Sequence, residues 1–502
     1  MKKNKIILPL IVSILVAVNC YATDTSYVAP RHDVSLKEAH IGSAEIDMKL
    51  LDSYLLPAQN VRNFYAEARS HLAEKPSARY TDVAIIRAAE KNRISVMGGP
   101  MLGKLTEESV TLWLRPATKD PLEIRVKGPE ENTYTIEHVK AGAELRVLLN
   151  GLKSGTSYQY EVTANGLGVT GGQFTTAPKA RDNSIFRVTF GSCFHKIGLH
   201  NPNLINQILK RQPQAMMLLG DIASDDRRNM PNLHRSDYLL RDMSAPWQQL
   251  AANVPLYAVW DDHDYHSNDR GGVFENFTEA DRQATREVWF ENWNNPENDA
   301  EGINFHTRIG PVEIIMLDTR SCREVERRGE YGAYLGEDQQ KWLLETLKAS
   351  TAPFKIISSG TMWSDYITPG KDSWGTWDTT GREEVFSFIE EEEIEGVLLI
   401  SGDRHGARGF TIPRSAGNQF YEFEAASLGG VPGPPAMAED TTWQLFGYHG
   451  SDLFAFGEFT FDMTMDEPLV TFRLIDQHGV ILEEHELKYH QLIPQDENFQ
   501  RL

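Results

Sequence analysis

The stretch PLYAVWDDHDYHSND, residues 255–269, passes from an apolar run straight into a cluster of polar groups. The apolar part has the length and composition of a buried β-strand. The polar part holds four acids, two histidines and an asparagine, which are metal-binding and proton-transferring groups. A solvated loop would account for the acids, but it accounts less well for the tryptophan and the two histidines among them. The stretch therefore predicts a strand that ends at a chemically active site.

Apolar runs of the same kind recur through residues 184–490, and helical segments lie between them. The other runs are SIFRVTF (184–190), AMMLL (215–219), EIIML (313–317), FKIIS (354–358) and GVLLI (396–400). The helical segments include NPNLINQILKRQ (201–212), EADRQATREVWFENW (279–293), GEDQQKWLLETLKAS (336–350) and GREEVFSFIEE (381–391). Near-continuous apolar strands that alternate with helices predict an α/β domain whose sheets are covered by helices.

Polar segments follow directly on several of these strands. They are GSCFH (191–195), GDIASDD (220–226), DTRSCR (318–323) and SGDRHG (401–406). Each is weak evidence alone, but ligands in open α/β sheets bind beyond the carboxyl ends of the strands, so these segments are expected to meet in one cleft. Carboxylate, imidazole and thiolate groups are the donors of a two-metal hydrolytic site, and such a site is the prediction here.

The region before residue 184 shows two other patterns. Residues 23–95 have apolar positions at helical spacing, interrupted by Pro57, and predict a helical N-terminal extension without chemistry of its own. Residues 96–179 contain short alternating strands and end in the proline-bearing TTAPK, and GLKSGTSYQYEV resembles the late strands of an immunoglobulin or fibronectin III-like β-sandwich. A packing or spacer role is favoured for this unit.

The chain has 502 residues, enough for two or three domains, and a formal net charge of −21. This charge repels nucleic-acid phosphates and argues against nucleic-acid scaffold binding. An anionic substrate would need local positive charge at its site, which bound metal ions can provide.

Residues 1–22 have the pattern of a signal peptide: MKKNK supplies positive charge, IILPLIVSILVAV the apolar run, and Cys20-Tyr21-Ala22 the cleavage site. A lipoprotein signal through Cys20 is the alternative. The rest of the sequence contains no further apolar run of the roughly 18 residues that a membrane-spanning helix needs. A periplasmic or secreted protein without a transmembrane helix is expected.

The order of the motifs resembles the alkaline phosphatase D (PhoD-like) family of metallophosphoesterases. The motifs are FGSC (190–193), LLGD (218–221), WDDHDYHSND (260–269), LDTR (317–320) with LGEDQQKWL (335–343), and SGDRH (401–405). The resemblance runs from about residue 96 and leaves out the helical extension. It implies a calcineurin-like four-layer αββα sandwich as the catalytic domain over 184–490, after an immunoglobulin-like domain over 96–179 that begins near GGPMLGKLTEESVTLWLRP.

The resemblance also implies roles for individual residues. His263 is expected to protonate the leaving alkoxide, and Asp221 to bridge two metal ions. The expected metal ligands are Cys193, Asp221, Asp262, Asn268, Asp403 and His405. The cofactor implied is a dinuclear or larger centre of divalent or trivalent ions, with Fe, Ca, Zn and Mn all open.

The sequence departs from the family pattern at one place. The branch of the family with a ferric–tyrosinate centre carries Gly-Asp-x-x-Tyr, whereas here the third residue after Asp221 is Ser224. The iron-plus-calcium assignment therefore does not transfer directly, and Asp225 is a possible replacement ligand. A disulfide between Cys193 and Cys322 is the alternative to thiolate ligation by Cys193.

Further residues are candidates for contact with substrate. His195 and Arg404 are possible phosphate-binding groups, and Arg320 is expected to tie loops together instead. His266 is open between a supporting role and a solvent-facing one. The segments MWSDYITPGKDSWGTWD (362–378) and GGVPGPP (429–435) are possible walls of the cleft or simply packed connections.

The expected function is that of an exported, metal-dependent phosphoesterase that works by in-line attack of a metal-bound hydroxide. Phosphate monoesters and phosphodiesters, such as phospholipid head groups or nucleotides, are both open as substrates. A protein of another class, a metal-stabilised binding protein without catalysis, is the rival hypothesis. The presence of both His263 and the Gly-Asp-Arg-His motif at 402–405 argues against it.

Overall fold

The computed structural model of the chain describes residues 27–494 except 181, 224–225, 298–299 and 416. The predicted signal peptide and Cys20 lie outside the described residues. Among the described helices, none combines the length and the apolar character needed to cross a bilayer.

Residues 27–92, called here the N-terminal helical segment, form a bundle with its own apolar core. Its helices are α1 (Leu36–Ile41), α2 (Ala44–Leu51), α3 (Gln59–Glu74) and α4 (Val83–Lys91). Ser35 and Glu38 cap the start of α1 reciprocally, and Gly42 ends it in a left-handed conformation with φ 60°. The core of the bundle includes Leu239 and Leu240 from a later helix, so the bundle closes only against the rest of the chain.

Residues 96–175 form two antiparallel sheets. The strands are β1 (Val96–Gly103), β2 (Ser109–Pro116), β3 (Leu122–Lys127), β4 (Glu131–Ile136), β5 (Leu145–Asn150), β6 (Ser157–Ala164) and β7 (Leu167–Thr175). The strand orders are β1-β2-β5 and β4-β3-β6-β7. Along β6 the buried residues alternate, as expected for strands with one face toward a core. The immunoglobulin-like assignment and the predicted domain boundaries stay predictions.

The remaining elements alternate between strands and helices before the chain ends in antiparallel strands. The helices are α5 (Pro202–Lys210), α6 (Pro231–Met243), α7 (Ala245–Asn253), α8 (Asp262–Tyr265), α9 (Glu279–Asn292), α10 (Glu337–Ala349), α11 (Trp374–Trp377) and α12 (Thr379–Glu391). The strands are β8 (Ile185–Gly191), β9 (Ala215–Leu219), β10 (Leu256–Val259), β11 (Phe305–Ile309), β12 (Val312–Met316), β13 (Phe354–Ser358), β14 (Val397–Ser401), β15 (Gly406–Pro413), β16 (Gln419–Ala426), β17 (Gln444–Tyr448), β18 (Ala455–Asp462), β19 (Leu469–Asp476) and β20 (Ile481–Lys488).

These strands form two mixed sheets that pack face to face. One sheet has the order β10-β9-β8-β18-β19-β20 and the other β11-β12-β13-β14-β16-β15-β17. Strands β8, β9 and β10 are parallel, and so are β12, β13, β14 and β16. Aromatic side chains fill the space between the sheets: the ring centroid of Phe423 lies 4.3 Å from that of Phe472 and 5.4 Å from that of Phe459.

The continuous apolar runs of the central strands are explained by burial on both faces. In β12 the side chain of Ile314 belongs to the core between the sheets. Its neighbour Ile315 belongs to an outer core with Leu343 of α10 and Val385 of α12. Helices α5 and α7 cover the outer face of the other sheet through Ile205 and other buried residues. Helix, sheet, sheet and helix therefore follow one another as four layers.

Candidate metal centre

The loops that follow four parallel strands meet at one end of the two sheets. Cys193 and His195 follow β8, Asp221 follows β9, Asp262 and His263 follow β10, and Asp403 and His405 follow β14. Because β8, β9 and β10 are neighbours and β14 lies in the facing sheet, their carboxyl ends open onto a common space.

One group of donors surrounds Cys193. Cys193, His195, Asp221 and His405 each offer a ligand atom, and these atoms lie within 4.8 Å of one another. The Sγ of Cys193 is 3.7 Å from Oδ2 of Asp221, and Nε2 of His195 is 2.8 Å from Nε2 of His405. Thiolate, imidazole and carboxylate together form a donor set suited to a transition metal.

Two further groups extend this cluster. Asp221 also lies within 4.8 Å of Asp262 and His263, and Asp262 lies within that distance of Asp261 and Asp403. Asp221 therefore belongs both to the donor group around Cys193 and to the group that it forms with Asp262 and His263.

The buried carboxylates fit a cation site because several of their oxygens have no hydrogen-bond partner. Among the described residues, Oδ1 of Asp221, Oδ2 of Asp261 and Oδ2 of Asp403 are buried and accept no hydrogen bond. Burial and the nearby Asp262 raise the pKa of Asp221 well above its usual range, and burial and Asp261 do the same for Asp403. Cations placed among these oxygens would offset the cost of the missing hydrogen bonds and the cost of burying neighbouring negative charges. The residues present therefore fit a multi-metal centre.

The backbone at the centre is held in a conformation that non-glycine residues rarely adopt. Positive φ angles occur at Cys193 (60°), His195 (45°), Asp221 (53°), Asp403 (73°) and His405 (34°). Such residues cost about 1–3 kcal/mol each and cluster at functional sites. The surrounding contacts must therefore fix these turns.

Asp264 and Gly220 fix the turn that carries Asp221. The carboxylate of Asp264 accepts hydrogen bonds from the backbone N–H groups of Asp221 and Ile222. Gly220 has φ 93°, and a Cβ there would lie 2.3 Å from the Cβ of Asp261. Only glycine allows the ends of β9 and β10 to approach this closely.

His263 is paired with a carboxylate that the sequence did not single out. Its Nδ1 lies 2.6 Å from Oδ1 of Asp226. Burial alone would lower the pKa of His263, but the charges of Asp262 and Asp221 and the hydrogen bond with Asp226 raise it well above its usual value. The contact with Asp226 thus fixes the orientation of the imidazole and favours its cationic form.

The loop at 429–435 orients His405. The Nδ1 of His405 lies 2.9 Å from the carbonyl oxygen of Pro432, which leaves Nε2 for the donor cluster. Gly433 packs against the same residue so closely that a Cβ would lie 2.4 Å from the Cβ of His405. This loop therefore supports a candidate ligand directly.

Arg320 ties loops together, as the sequence indicated. It is fully buried, forms ion pairs with Asp261 and with Asp372 (2.6 Å), and lies 3.7 Å from Asp403. Burial would raise the pKa of Asp262, but the charges of Arg320 and His263 lower it below its usual value. Arg320 thus offsets part of the negative charge beneath the centre.

Not every candidate joins the cluster. Asn268 is exposed in the turn after α8, and Asp225 and Ser224 lie outside the described residues. Arg404 lies at the edge of the donor cluster, where its guanidinium donates a hydrogen bond to the hydroxyl of Thr368. His266 is buried against the rings of Phe274 and Phe277.

Cys193 and Cys322 are both free thiols, so the structure contains no disulfide between them. The Sγ of Cys193 is directed toward Asp221, whereas that of Cys322 contacts the hydroxyl of Ser321. The arrangement leaves the Cys193 thiol available to a metal ion.

One histidine at the centre comes from the N-terminal helical segment, where the sequence indicated no chemistry. His40, in α1, has its ring centroid 4.2 Å from that of His263 and its Nε2 3.2 Å from Nδ1 of His195. Burial, together with the charge of His263, lowers the pKa of His40 to about 3. The amphipathic pattern of α1 gave no signal for this contact, because the partners lie more than 150 residues away.

Comparisons with known proteins agree with this geometry. Residues 210–451 match the family model described as PhoD-like phosphatase, and residues 93–181 match a domain of unknown function (DUF7800). Alkaline phosphatase D of Bacillus subtilis (strain 168) is 25% identical over an alignment of 239 residues. The alignment covers 41% of this chain and 38% of that protein. The chain therefore matches well under half the length of this curated relative.

Two solved structures share the fold. A structure titled "Structure of PhoD" has a TM-score of 0.61 at 17% identity and covers 78% of this chain and 88% of that chain. The structure of the purple acid phosphatase PPD1 from yellow lupin (Lupinus luteus) seeds has a TM-score of 0.58 at 14% identity, and the match covers 78% of this chain and 75% of that chain.

Two facing mixed sheets, with acidic, histidine and thiol donors at their carboxyl end, give this chain the fold of these two phosphatase structures. Residues 210–451 of this chain carry a PhoD-like phosphatase domain. The α/β fold and the family predicted from the sequence are thereby confirmed.

Proposed function

We propose that this protein hydrolyses phosphate esters at a multi-metal centre, with Cys193, Asp221, Asp262, Asp403 and His405 among the ligands and His263 as the acid. The observation that carries the proposal is the buried set of carboxylate oxygens without hydrogen-bond partners, next to a His263 that is paired with Asp226. The match of residues 210–451 to the PhoD-like phosphatase family model supports the same reaction class.

His195 is proposed as a further ligand in place of the tyrosine that the sequence lacks. It is fully buried, its Nε2 lies 3.6 Å from Oδ2 of Asp221, and it belongs to the same donor group as Cys193. This geometry favours ligation over the phosphate contact expected from the sequence. Without a phenolate ligand, no ferric–tyrosinate colour is expected from the metal-loaded protein.

Metal ions held there would activate water and neutralise charge on the phosphoryl oxygens. The residues of the chain supply the rest. As a P–O bond forms to the oxygen of the attacking hydroxide, which is water that has already lost a proton, the P–O bond to the leaving group breaks. The proton of His263 passes to the departing oxygen, and Asp226 stabilises the cationic ring before the transfer. Arg404, at the edge, is proposed to contact the phosphate.

Phosphate monoesters and phosphodiesters both remain within this proposal, and export is proposed from the apolar leader at residues 1–22. Because the chain carries a net charge of −21, the metal centre and the arginine at its edge are the groups that would attract an anionic substrate.

The test compares hydrolysis of a chromogenic phosphate monoester with that of its bis-ester, with and without a chelator. We expect turnover of at least one ester, abolished by the chelator and restored by added metal. Asp221→Asn is expected to strip the bound metal, which elemental analysis measures. A fully metallated protein that turns over neither ester would favour the binding-protein hypothesis and refute this one.

A further inference from the structure

His195 presents its two ring nitrogens to different partners. Its Nε2 faces the donor group, 2.8 Å from Nε2 of His405, whereas its Nδ1 lies 3.2 Å from Nε2 of His40. A neutral imidazole has one lone pair and one N–H, so a ring that gives its Nε2 lone pair to a metal carries the hydrogen on Nδ1. Metal-binding histidines almost always donate that hydrogen to a fixed acceptor. His40 is the side chain that lies in the acceptor position.

The helix that carries His40 and the helix after it are held to the loops of the centre by one buried ion pair and one buried hydrogen bond. Lys196, the residue after His195, donates to Asp47 of α2 at 3.1 Å. Arg227, the residue after Asp226, donates to the carbonyl oxygen of Gly42 at 3.2 Å, at the end of α1. Both loops are therefore joined to the N-terminal helical segment within seven residues of His40.

A third contact joins His40 to the candidate acid. Its ring lies 4.2 Å from that of His263, centroid to centroid, and His263 is only 6% exposed. The segment that carries His40 precedes residue 93 and is outside both matched family regions. The contact thus belongs to this chain's own extension.

We infer that the N-terminal helical segment is part of the active centre, and that His40 is a positioning residue which accepts the Nδ1 hydrogen of His195 and so directs Nε2 of that ring to the metal. The inference rests on the proposed function, because it assigns His195 as a ligand. His40 itself touches neither metal nor substrate in this role.

The test measures the affinity of the full chain for Zn²⁺ by competition with a chelator. His40→Phe keeps an aromatic ring over His263 but removes the acceptor, and we expect its Zn²⁺ affinity to fall about 10–100-fold. His40→Gln keeps an acceptor oxygen at similar reach, and its affinity is expected to stay within a few-fold of the unsubstituted protein. The matched control is His71→Gln on α3, where His71 pairs with Asp82 in the same segment.

Unchanged Zn²⁺ affinity in His40→Phe would overturn the inference. An equal loss in His71→Gln would also overturn it, since the effect would then come from the segment's stability. The readout does not depend on catalysis: a protein that binds Zn²⁺ tightly but hydrolyses nothing refutes the proposed function while the comparison of variants still decides the role of His40.

Discussion

At the scale of single residues, the centre depends on side chains that hold other side chains. Asp226 contacts His263, Pro432 contacts His405, and Asp264 contacts the backbone of Asp221. Supporting groups of this kind set the orientation and basicity of the groups that react. Their substitution is expected to change rates while leaving the fold in place.

Asp226→Asn is expected to lower kcat about 10–100-fold with little loss of bound metal, because the amide no longer stabilises a cationic imidazole at 2.6 Å. Steady-state kinetics and elemental analysis on the same sample measure both. Loss of metal in proportion to activity would show instead that Asp226 is a ligand.

His263→Ala is expected to retain metal and to lose about 10²–10⁴-fold in turnover, most strongly for esters with poor leaving groups, because these depend on protonation. A series of phenyl phosphates of graded leaving-group pKa measures the effect. A loss of the same size for every member of the series would contradict the role as acid.

At the scale of elements, Arg320 connects three segments that are distant in the chain. It follows β12, pairs with Asp261 at the end of β10, and reaches Asp372 in the 362–378 segment. The aromatic residues of that segment, Trp363 and Trp374, are buried in the outer core. The segment is therefore mainly a packed connection, which brings Asp372 to Arg320 and Thr368 to Arg404.

Arg320→Met is expected to destabilise the protein by about 3–5 kcal/mol, since it leaves Asp261 buried without its cation and leaves Asp372 with Arg323 alone. Urea unfolding of the metal-free protein measures this. Arg327→Met is the matched control: Arg327 pairs with Glu324 and Glu330 on the surface, and its loss should cost less than about 1 kcal/mol. Equal effects in the two variants would show that the buried network contributes little.

At the scale of the whole molecule, buried neutral histidines make the fold sensitive to acid. Burial and the charge of Lys196 lower the pKa of His200 to about 3, and burial lowers that of His234 to about 4, from a usual value of 6.5. Below pH 6.5 the unfolded chain binds protons at these groups that the folded protein does not. The stability that these two histidines contribute is therefore fully present above pH 6.5 and falls as the pH drops toward 4.

The metal-free protein is expected to lose about 2 kcal/mol of unfolding free energy per such histidine between pH 7.5 and pH 5. In His200→Leu, which cannot take up a proton, the loss on acidification should be smaller by about that amount. Urea unfolding at the two pH values measures the difference. The same loss in both proteins would exclude His200 as a source of acid sensitivity.

The sequence predicted the central strands well and the peripheral ones poorly. AMMLL and FKIIS coincide with β9 and β13, because both faces of these strands are buried and composition alone marks them. Strand β4, ENTYTI, and strand β20, ILEEHELK, lie at sheet edges with exposed faces, and their polar composition gave no signal. Pairing with a neighbour, which is a tertiary effect, decides such strands.

The same distinction holds for the centre. Cys193, Asp221 and Asp403 stand in motifs directly after strands, so the strand topology alone brings them together. The partnerships of Asp226 and His40 depend on contacts across 37 and 155 residues, which no local pattern encodes.

The bundle of α1–α4 shares its apolar core with Leu239 and Leu240 of α6, and this has a consequence for biosynthesis. A growing polypeptide must extend by about 150 residues past α4 before those leucines are synthesised. Until then Phe64, Leu72 and Ile85 have no complete apolar shell. The nascent chain therefore exposes an apolar surface on α3 and α4 until α6 has been synthesised. A chaperone that binds unfolded chains is expected to bind this surface during translation.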